Sequence, residues 1–255
     1  MTELQYHLAK VYAIWLREFK VFLREKSRLI ASTFTPILWL FVIGSGIGST
    51  ASAPAGVDYQ TFIFPGIVSM SIIFTSVFYG SYIIWDRKFD FLKSVMAAPV
   101  SRAGVFVGKT LGGMTNSLIQ ALILLAIGTA IGIPFTPLSI VQAVAVILLM
   151  SFGLTSLGLA LGSYMYSLEG FQMIVSFVVF PLFFLSGALF PLDGLPSWLY
   201  VLAALDPATY GVSAMRGTML GIGSSDPALD FAILTAYTGV LGLFGVLSFR
   251  RMKAV

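Results

Sequence analysis

The stretch Trp85–Thr110, WDRKFDFLKSVMAAPVSRAGVFVGKT, separates two long apolar runs and carries five of the chain's 15 lysines and arginines. A soluble domain has about 25% charged residues, whereas this chain of 255 residues has 10% charged and 58% hydrophobic residues. A water-soluble domain of this size cannot bury so much apolar surface. The sequence therefore predicts an all-α membrane protein, in which the charged stretch is a loop between two spans.

Six apolar runs are long enough to cross a membrane, because a spanning helix needs about 20 residues. They cover 29–48, 61–84, 105–132, 138–163, 170–188 and 229–249, within a transmembrane domain over 29–255. Every lysine and arginine except Arg216 lies before the first run, between the second and third (Lys109 being at the start of the third), or after the last. Basic residues near span ends favour the cytoplasm, so both termini are predicted to lie on the cytoplasmic side of the cell membrane.

The segment 1–28 precedes the first run and has apolar residues at helical spacing, with basic residues mostly on the other face. This pattern predicts an amphipathic helix that lies in the cytoplasmic interface of the membrane. The alternative is a basic anchor that only sets the topology. The apolar positions are Leu4, Leu8, Val11, Tyr12, Trp15, Phe19, Phe22 and Leu23.

The charged loop itself can form a short amphipathic helix over 85–98, which a proline would end. Aromatic and apolar anchors carry most of the energy of protein interfaces, so this helix is predicted to dock on a cytoplasmic partner. Its apolar residues would fill a groove on that partner and its charges would set the register. The alternative is a solvated loop that only sets topology. The predicted docking residues are Asp86, Arg87, Phe89, Asp90, Phe91, Leu92, Lys93, Met96 and Pro99.

The tripeptide Gly108-Lys109-Thr110 looks like the end of a phosphate-binding loop, but the spacing is one residue short and no strand precedes it. The sequence therefore predicts no nucleotide site, and Lys109 is expected to extend to the cytoplasmic interface. The span interiors otherwise lack charged residues, and the chain has no cysteine and one histidine. This composition argues against an ion-coupled carrier, a metal centre or an acid–base enzyme, and it predicts no cofactor.

The segment 189–228 lies between the last two runs and stays apolar, with Asp206-Pro207 dividing it into two short stretches. It is predicted to form a re-entrant helical hairpin on the outer side. The alternative is an ordinary amphipathic external helix. Arg216 is expected to pair with Asp206, Asp193 or a lipid phosphate, the alternative being a solvated arginine. The residues assigned to this hairpin are Pro191, Pro196, Trp198, Asp206, Pro207, Tyr210 and Arg216.

Two stretches, WDRKFDFLKSVMAAPVSRAGVFVGK from Trp85 and FPLDGLPSWLYVLAALDPATYGVSAMRG from Phe190, resemble motifs of ABC-2-type exporter permeases. The resemblance covers essentially the whole chain and is strongest to the daunorubicin-resistance and nodulation-export branch. The family often has Glu-x-Gly-Thr where this chain has Lys88-Phe89-Asp90-Phe91, which puts the fine contacts of the docking helix in doubt.

The resemblance implies a subunit without its own ATP site, paired with a second copy of itself or a close paralogue and energised by two ATP-binding subunits. It implies export of an amphiphile, such as a drug, a lipid or a lipid-linked glycan, and no nucleic-acid partner. The other class of function considered is a structural or assembly membrane protein that docks a non-ATPase partner on the same loop.

Overall fold

The computed structural model describes residues 3–48, 56–97, 100–222 and 226–252, and within these ranges the chain is α-helical without β-strands. The helices are α1 (Glu3–Arg24), α2 (Lys26–Gly48), α3 (Tyr59–Phe78), α4 (Ser81–Lys88), α5 (Phe91–Ala97), α6 (Arg102–Ala130), α7 (Pro137–Tyr164), α8 (Leu168–Leu185), α9 (Ser197–Leu205), α10 (Pro207–Leu220) and α11 (Pro227–Arg251).

Six helical segments are long and apolar enough to cross a membrane, which confirms the predicted all-α, six-span fold. They are α2, the pair α3–α4, α6, α7, α8 and α11. Their ends differ from the predicted ends by a few residues, because polar residues outside the apolar runs cap the helices. The side chains of Asp58, Ser101 and Thr136, for example, accept hydrogen bonds from the first backbone N–H groups of α3, α6 and α7.

Helix α3 lies at the centre of the bundle and is buried along most of its length, whereas most residues of α2 and α8 are exposed or half-buried. The packing around α3 is tight at two points. A Cβ placed on Gly66 would overlap the backbone of Ala188, and a Cβ on Gly80 would overlap the backbone of Gly158 in α7. These contacts fix α3 against the turn that follows α8, and the α3–α4 junction against α7.

The predicted docking helix over 85–98 is not continuous. Helix α4 ends at Lys88, Phe89 and Asp90 form a turn, and α5 begins at Phe91. Asp90 has a φ of 56°, a left-handed conformation that Asp adopts more readily than most residues and that interrupts a right-handed helix. The loop is therefore a helix–turn–helix corner.

The segment 189–228 contains the expected two helices, α9 and α10, on either side of Asp206 and Pro207. Helix α10 packs against α3, α7 and α11 and buries Val212 and Met215. Helix α9 is mostly exposed, including Trp198 and Tyr200. Entry of this hairpin into the membrane remains a prediction, as does the interfacial position of α1.

Candidate coupling site at the basic end of the bundle

The three basic segments of the sequence meet at one end of the bundle, called here the basic face. Arg17 of α1 reaches Asp86 of α4, with 2.9 Å between Nη2 and Oδ1. Arg102 at the start of α6 donates to the carbonyl oxygens of Arg250 at 2.7 Å and Met252 at 2.9 Å. Arg87 donates to the carbonyl oxygens of Ser163 and Met165 at the end of α7. The loop, the chain's last helix and the α7–α8 turn therefore share one face.

An ionic cluster of the buried Glu18, Asp86 and Lys109 and the half-buried Arg17 connects α1, α4 and α6 at this face. Lys109 Nζ lies 2.9 Å from Glu18 Oε1 and also donates to Asp86 Oδ2. Arg17 Nη1 lies 2.7 Å from the same Glu18 oxygen, and the hydroxyl of Tyr79 donates to Glu18 Oε2 at 2.7 Å. Two cations and two carboxylates balance each other, so the cluster carries no net charge.

The predicted position of Lys109 is wrong, because only 1% of this residue is exposed and its ammonium group points into the bundle. Its partner Glu18 was not predicted from the sequence. A signal existed: Glu18 lies three residues after Trp15 and four before Phe22, which places it on the inward face of α1. A carboxylate on a buried helix face requires a cation nearby. Gly108 and Gly112 of α6 allow this approach, since a Cβ on either would collide with α1.

Glu18 and Arg17 of α1 keep their charges because the effect of their partners on the pKa outweighs the effect of burial. Burial alone would raise the pKa of Glu18, but Lys109, Tyr79 and Arg17 lower it below its ordinary value. Burial alone would lower the pKa of Arg17, but Asp86 and Glu18 raise it overall. Since the folded pKa of Glu18 is lowered, its contribution to stability is present above its unfolded pKa and is lost as the pH falls through the folded pKa.

The corner between α4 and α5 presents a pair of aromatic side chains, Trp85 and Phe89, to solvent. Phe89 is 70% exposed, and its ring stacks on that of Trp85 with 5.6 Å between centroids. Asp90 and Lys93 form an exposed ion pair at 2.9 Å. Phe91 is half-buried beneath the guanidinium of Arg17, which lies 3.6 Å from the ring centroid.

Three predicted docking residues face the chain's own interior instead. Leu92 is 1% exposed and packs in a core cluster with Tyr79 and Val105, so it does not fill a groove on a partner. Asp86 belongs to the ionic cluster, and Arg87 binds the end of α7. These three residues hold the loop in position, and they do not lie at the rim of an interface with a partner. Pro99 and the side chain of Met96 lie outside the described residues.

A crevice of about 470 Å³ adjoins the exposed aromatic pair. It is lined by Trp85, Lys88 and Arg87 on one side and by the α7–α8 turn with Tyr166 and Glu169 on the other. The guanidinium of Arg87 lies 4.7 Å from the centroid of the Tyr166 ring. The basic face thus offers a recess of mixed charge and aromatic character next to Phe89.

At the opposite end, Arg216 is buried and does not form the expected ion pair with Asp206 or Asp193. Its Nη2 donates to the carbonyl oxygen of Gly187 at 2.9 Å, and its guanidinium lies 4.2 Å from the centroid of the Phe62 ring. Backbone carbonyls at the end of α8 therefore take the place of a carboxylate. Burial lowers the pKa of Arg216 to about 10.

The remaining hairpin residues shape the turn between α9 and α10. Asp206 caps α10, with its Oδ1 accepting from Ala208 N at 2.8 Å, while its buried Oδ2 has no hydrogen-bond partner. Pro207 occupies the first turn of α10, and the hydroxyl of Tyr210 donates to Ala204 O at 2.8 Å. Pro191 is half-buried, and Pro196 directly precedes α9.

Asp206→Asn is expected to remove a pH dependence of stability. Burial raises the pKa of Asp206 to about 7, so the folded state prefers the protonated form. The stability of the parent protein should therefore fall as the pH rises from about 4 to about 7, by at most about 4 kcal/mol. Asparagine keeps the capping oxygen and does not titrate. The thermal midpoint of the purified chain, measured from pH 5 to 8, should fall for the parent relative to Asp206→Asn. Parallel pH profiles would contradict this prediction.

The six helical segments that are long and apolar enough to cross a membrane define a multi-pass membrane protein. The family model described as ABC-2 type transporter matches residues 9–220, and the chain belongs to this family. It is accordingly a transport permease subunit of an ABC transporter, a class that works with an ABC ATP-binding partner.

Curated relatives cover most of the chain. Nodulation protein J of Rhizobium leguminosarum bv. viciae is 25% identical over 248 residues, which are 94% of this chain and 93% of that protein. The inner membrane transport permease YadH of Escherichia coli strain K12 is 28% identical over 230 residues, 88% of each chain. The putative transport permease ycf38 of Cyanophora paradoxa is 26% identical over 215 residues, 83% of this chain and 74% of that protein. These similarities confirm the resemblance noted in the sequence.

Proposed function

We propose that the chain is the permease of an ATP-driven exporter that moves an amphiphile, such as a drug, a lipid or a lipid-linked glycan, outward across the cytoplasmic membrane. The observation that carries this proposal is the exposed Phe89 at a corner whose base is fixed in a buried ionic cluster. A subunit without its own energy source needs a contact through which a partner can move its helices, and this corner has the required chemistry.

The ATP-binding subunit docks at the basic face, with Phe89 as the central anchor. Exposed aromatic residues on a rigid support are typical interface hot spots, whereas exposed charges such as Asp90 and Lys93 contribute less. The crevice beside Trp85 and Tyr166 extends the docking surface to the α7–α8 turn. Both termini and this loop lie in the cytoplasm, which the distribution of basic residues supports.

The ionic cluster transmits displacement of the loop into the bundle. Asp86 is bound by Arg17 of α1 and by Lys109 of α6, so α4 cannot move without both neighbours unless buried charges separate. Separating buried, paired charges costs several kcal/mol. A push on the corner therefore moves α1, α3–α4 and α6 together, and Arg87 passes the displacement to the end of α7.

The assembly contains two such permeases, either identical or paralogous, and two ATP-binding subunits. The exposed apolar sides of α2 and α8 support a contact with a second permease, since they carry Phe34, Phe41, Phe177 and Phe180 at the surface of one chain. The exposed Leu8, Tyr12 and Leu23 of α1 support contact with the membrane interface. The α9–α10 hairpin re-enters the outer leaflet and closes the exit.

Phe89→Ala is expected to weaken binding of the cognate ATP-binding subunit by tenfold or more, because an aromatic hot spot contributes about 2 kcal/mol or more. The matched control is Phe244→Ala, which removes an exposed phenylalanine from α11. Both variants should insert and unfold like the parent. Binding is measured with the permease in nanodiscs, and ATP hydrolysis with the reconstituted complex. Equal ATPase binding by both variants would contradict the docking assignment, and capture of a non-ATPase partner instead would favour an assembly protein.

A further inference from the structure

A second cavity, of about 260 Å³, lies between α2, α3 and α6 and is separate from the docking loop. Its surface is mostly apolar, with Phe22, Phe74 and Phe78 among the lining residues. The lining also contains uncharged polar side chains, namely Ser32, Thr35, Ser71, Thr75, Asn116 and Gln120.

Two of these polar groups have no hydrogen-bond partner among the residues that the structure describes. Asn116 Oδ1 and Ser71 Oγ make no hydrogen bond, although the two residues are only 5% and 2% exposed. By contrast, Gln120 accepts from Thr75 and donates to the carbonyl oxygen of Ser32. Buried polar groups normally have partners, and leaving one without a partner costs free energy. Both residues line the cavity, but these two oxygens have almost no accessible surface, so a ligand recovers that cost only when the side chains rotate toward it.

The charges around the cavity favour a neutral ligand. Arg28 is the one charged residue in the lining. It already lies 3.7 Å from Glu25 Oε2 and 4.6 Å from the centroid of the Tyr82 ring. No acidic side chain lines the cavity to balance a cationic ligand. An ion without a counter-charge is costly at membrane depth, so the cavity disfavours a cationic ligand, and the pairing of Arg28 with Glu25 reduces its attraction for an anion.

The size of the cavity indicates that it holds part of a ligand. Complete small-molecule sites have volumes of roughly 300–1,000 Å³, which is more than this cavity offers. Arg28 and Thr35 are exposed at its edge, and Phe34 and Leu38 of α2 present apolar surface nearby on the outside of the bundle. We propose that the cavity binds the uncharged, hydroxyl- or amide-bearing head group of an amphiphile whose apolar chain lies along α2.

The amphiphile is either cargo or a resident membrane lipid, and its assignment as cargo rests on the proposed transport function. The chemistry at the cavity is the same in both cases: a neutral head with hydrogen-bond donors or acceptors and an apolar chain. A binding measurement without the ATP-binding subunit tests the site, and a second measurement with that subunit and ATP distinguishes the two sources.

The binding test uses the full chain in phosphatidylcholine nanodiscs and an octyl glucoside analogue with a photoreactive diazirine in its chain. Mass spectrometry of the labelled peptides is expected to place the probe on the segments of α2, α3 and α6 that line the cavity. Octyl glucoside should compete with the probe, whereas octyl sulfate and octyltrimethylammonium, with the same chain and charged heads, should not. Labelling spread over the exposed apolar faces, or equal competition by charged heads, would overturn the proposal.

Variants test the two groups without partners. Asn116→Leu keeps the approximate volume and removes the hydrogen bond, so labelling should fall five- to tenfold. Ser71→Ala is the smaller change and should act in the same direction. The matched control is Ser69→Ala, on the same helix but outside the cavity, where the hydroxyl bonds to Pro65 O at 2.9 Å. Unchanged labelling in both cavity variants would contradict the site, and Ser71→Ala carries the test if Asn116→Leu does not fold.

The second measurement adds the ATP-binding subunit and ATP before photolysis. Loss of cavity labelling on ATP hydrolysis identifies the head-group ligand as cargo, whereas unchanged labelling identifies a resident lipid. Both results require that the probe binds in the cavity. Failure of the chain to recruit any ATP-binding subunit would overturn the proposed function and leave the site standing, while absence of specific labelling would overturn the site alone.

Discussion

Lys109→Met is expected to destabilise the protein by about 3–5 kcal/mol, because it removes one partner from a buried ionic cluster. Glu18 and Asp86 would then share a single cation, Arg17, in surroundings where neither carboxylate is hydrated. Methionine has a similar length and fills the volume, so the loss comes from the charge rather than from a cavity. The thermal midpoint of the purified chain in detergent micelles measures the effect.

Two further variants identify the cause of that loss. Lys93→Met removes a lysine whose ion pair with Asp90 is exposed, and it should change stability by less than about 1 kcal/mol. Lys109→Met combined with Glu18→Gln leaves Arg17 with Asp86 and restores a neutral cluster, so it should be more stable than Lys109→Met alone. If Lys109→Met is as mild as Lys93→Met, the cluster does not hold the helices together.

Gly80→Ala is expected to be the other strongly destabilising change, by about 3 kcal/mol. The added Cβ would overlap the carbonyl oxygen of Gly158 in α7 and lie 3.0 Å from Cζ of Phe171. Overpacking a tight contact usually costs 1–3 kcal/mol, and occasionally more. Here the added Cβ meets backbone atoms, which cannot move aside as a side chain can by changing its rotamer. Gly80 has a φ of −56°, a value that alanine adopts freely, so steric overlap alone causes the loss.

The matched control for this substitution is Gly239→Ala in α11, where a Cβ would meet no heavy atom within 4 Å. Alanine is the better helix former, so this variant should unfold at the same temperature as the parent or slightly above it. Equal midpoints for Gly80→Ala and Gly239→Ala would show that α3–α4 and α7 are not in the close contact described above.

The spans were predictable because lipid imposes a simple requirement on composition. A run of about 20 apolar residues has few alternatives to a spanning helix, and capping residues such as Asp58 and Ser101 account for the small shifts at the ends. The two helices around Asp206 and Pro207 were predictable for a different reason: proline is favoured at the first position of a helix, so Pro207 marks the start of the second helix. Family membership was visible in the loop and hairpin motifs.

The contacts of the candidate site were less accessible from the sequence. The periodicity of α6 does not show that the Lys109 side chain points into the bundle, because its partner Glu18 lies on α1. The sequence of α1 predicted an amphipathic helix at the membrane interface. The break at Asp90 depends on a left-handed residue within a sequence that suits a helix. Once α5 turns back, Leu92 faces the bundle rather than solvent. Tertiary contacts of this kind override local pattern, and they decide which loop residues remain available to a partner.

Attachment of an ATP-binding subunit at the α4–α5 corner is tested most directly by site-specific cross-linking, since the chain has no native cysteine. Lys93→Cys places a thiol on the exposed side of the corner, and Trp198→Cys places one on the exposed α9 at the opposite end. In membranes that contain the cognate ATP-binding subunit, a bifunctional reagent is expected to join that subunit to position 93 and not to position 198. Cross-linking at position 198, or none at position 93 in a complex that hydrolyses ATP, would contradict the account.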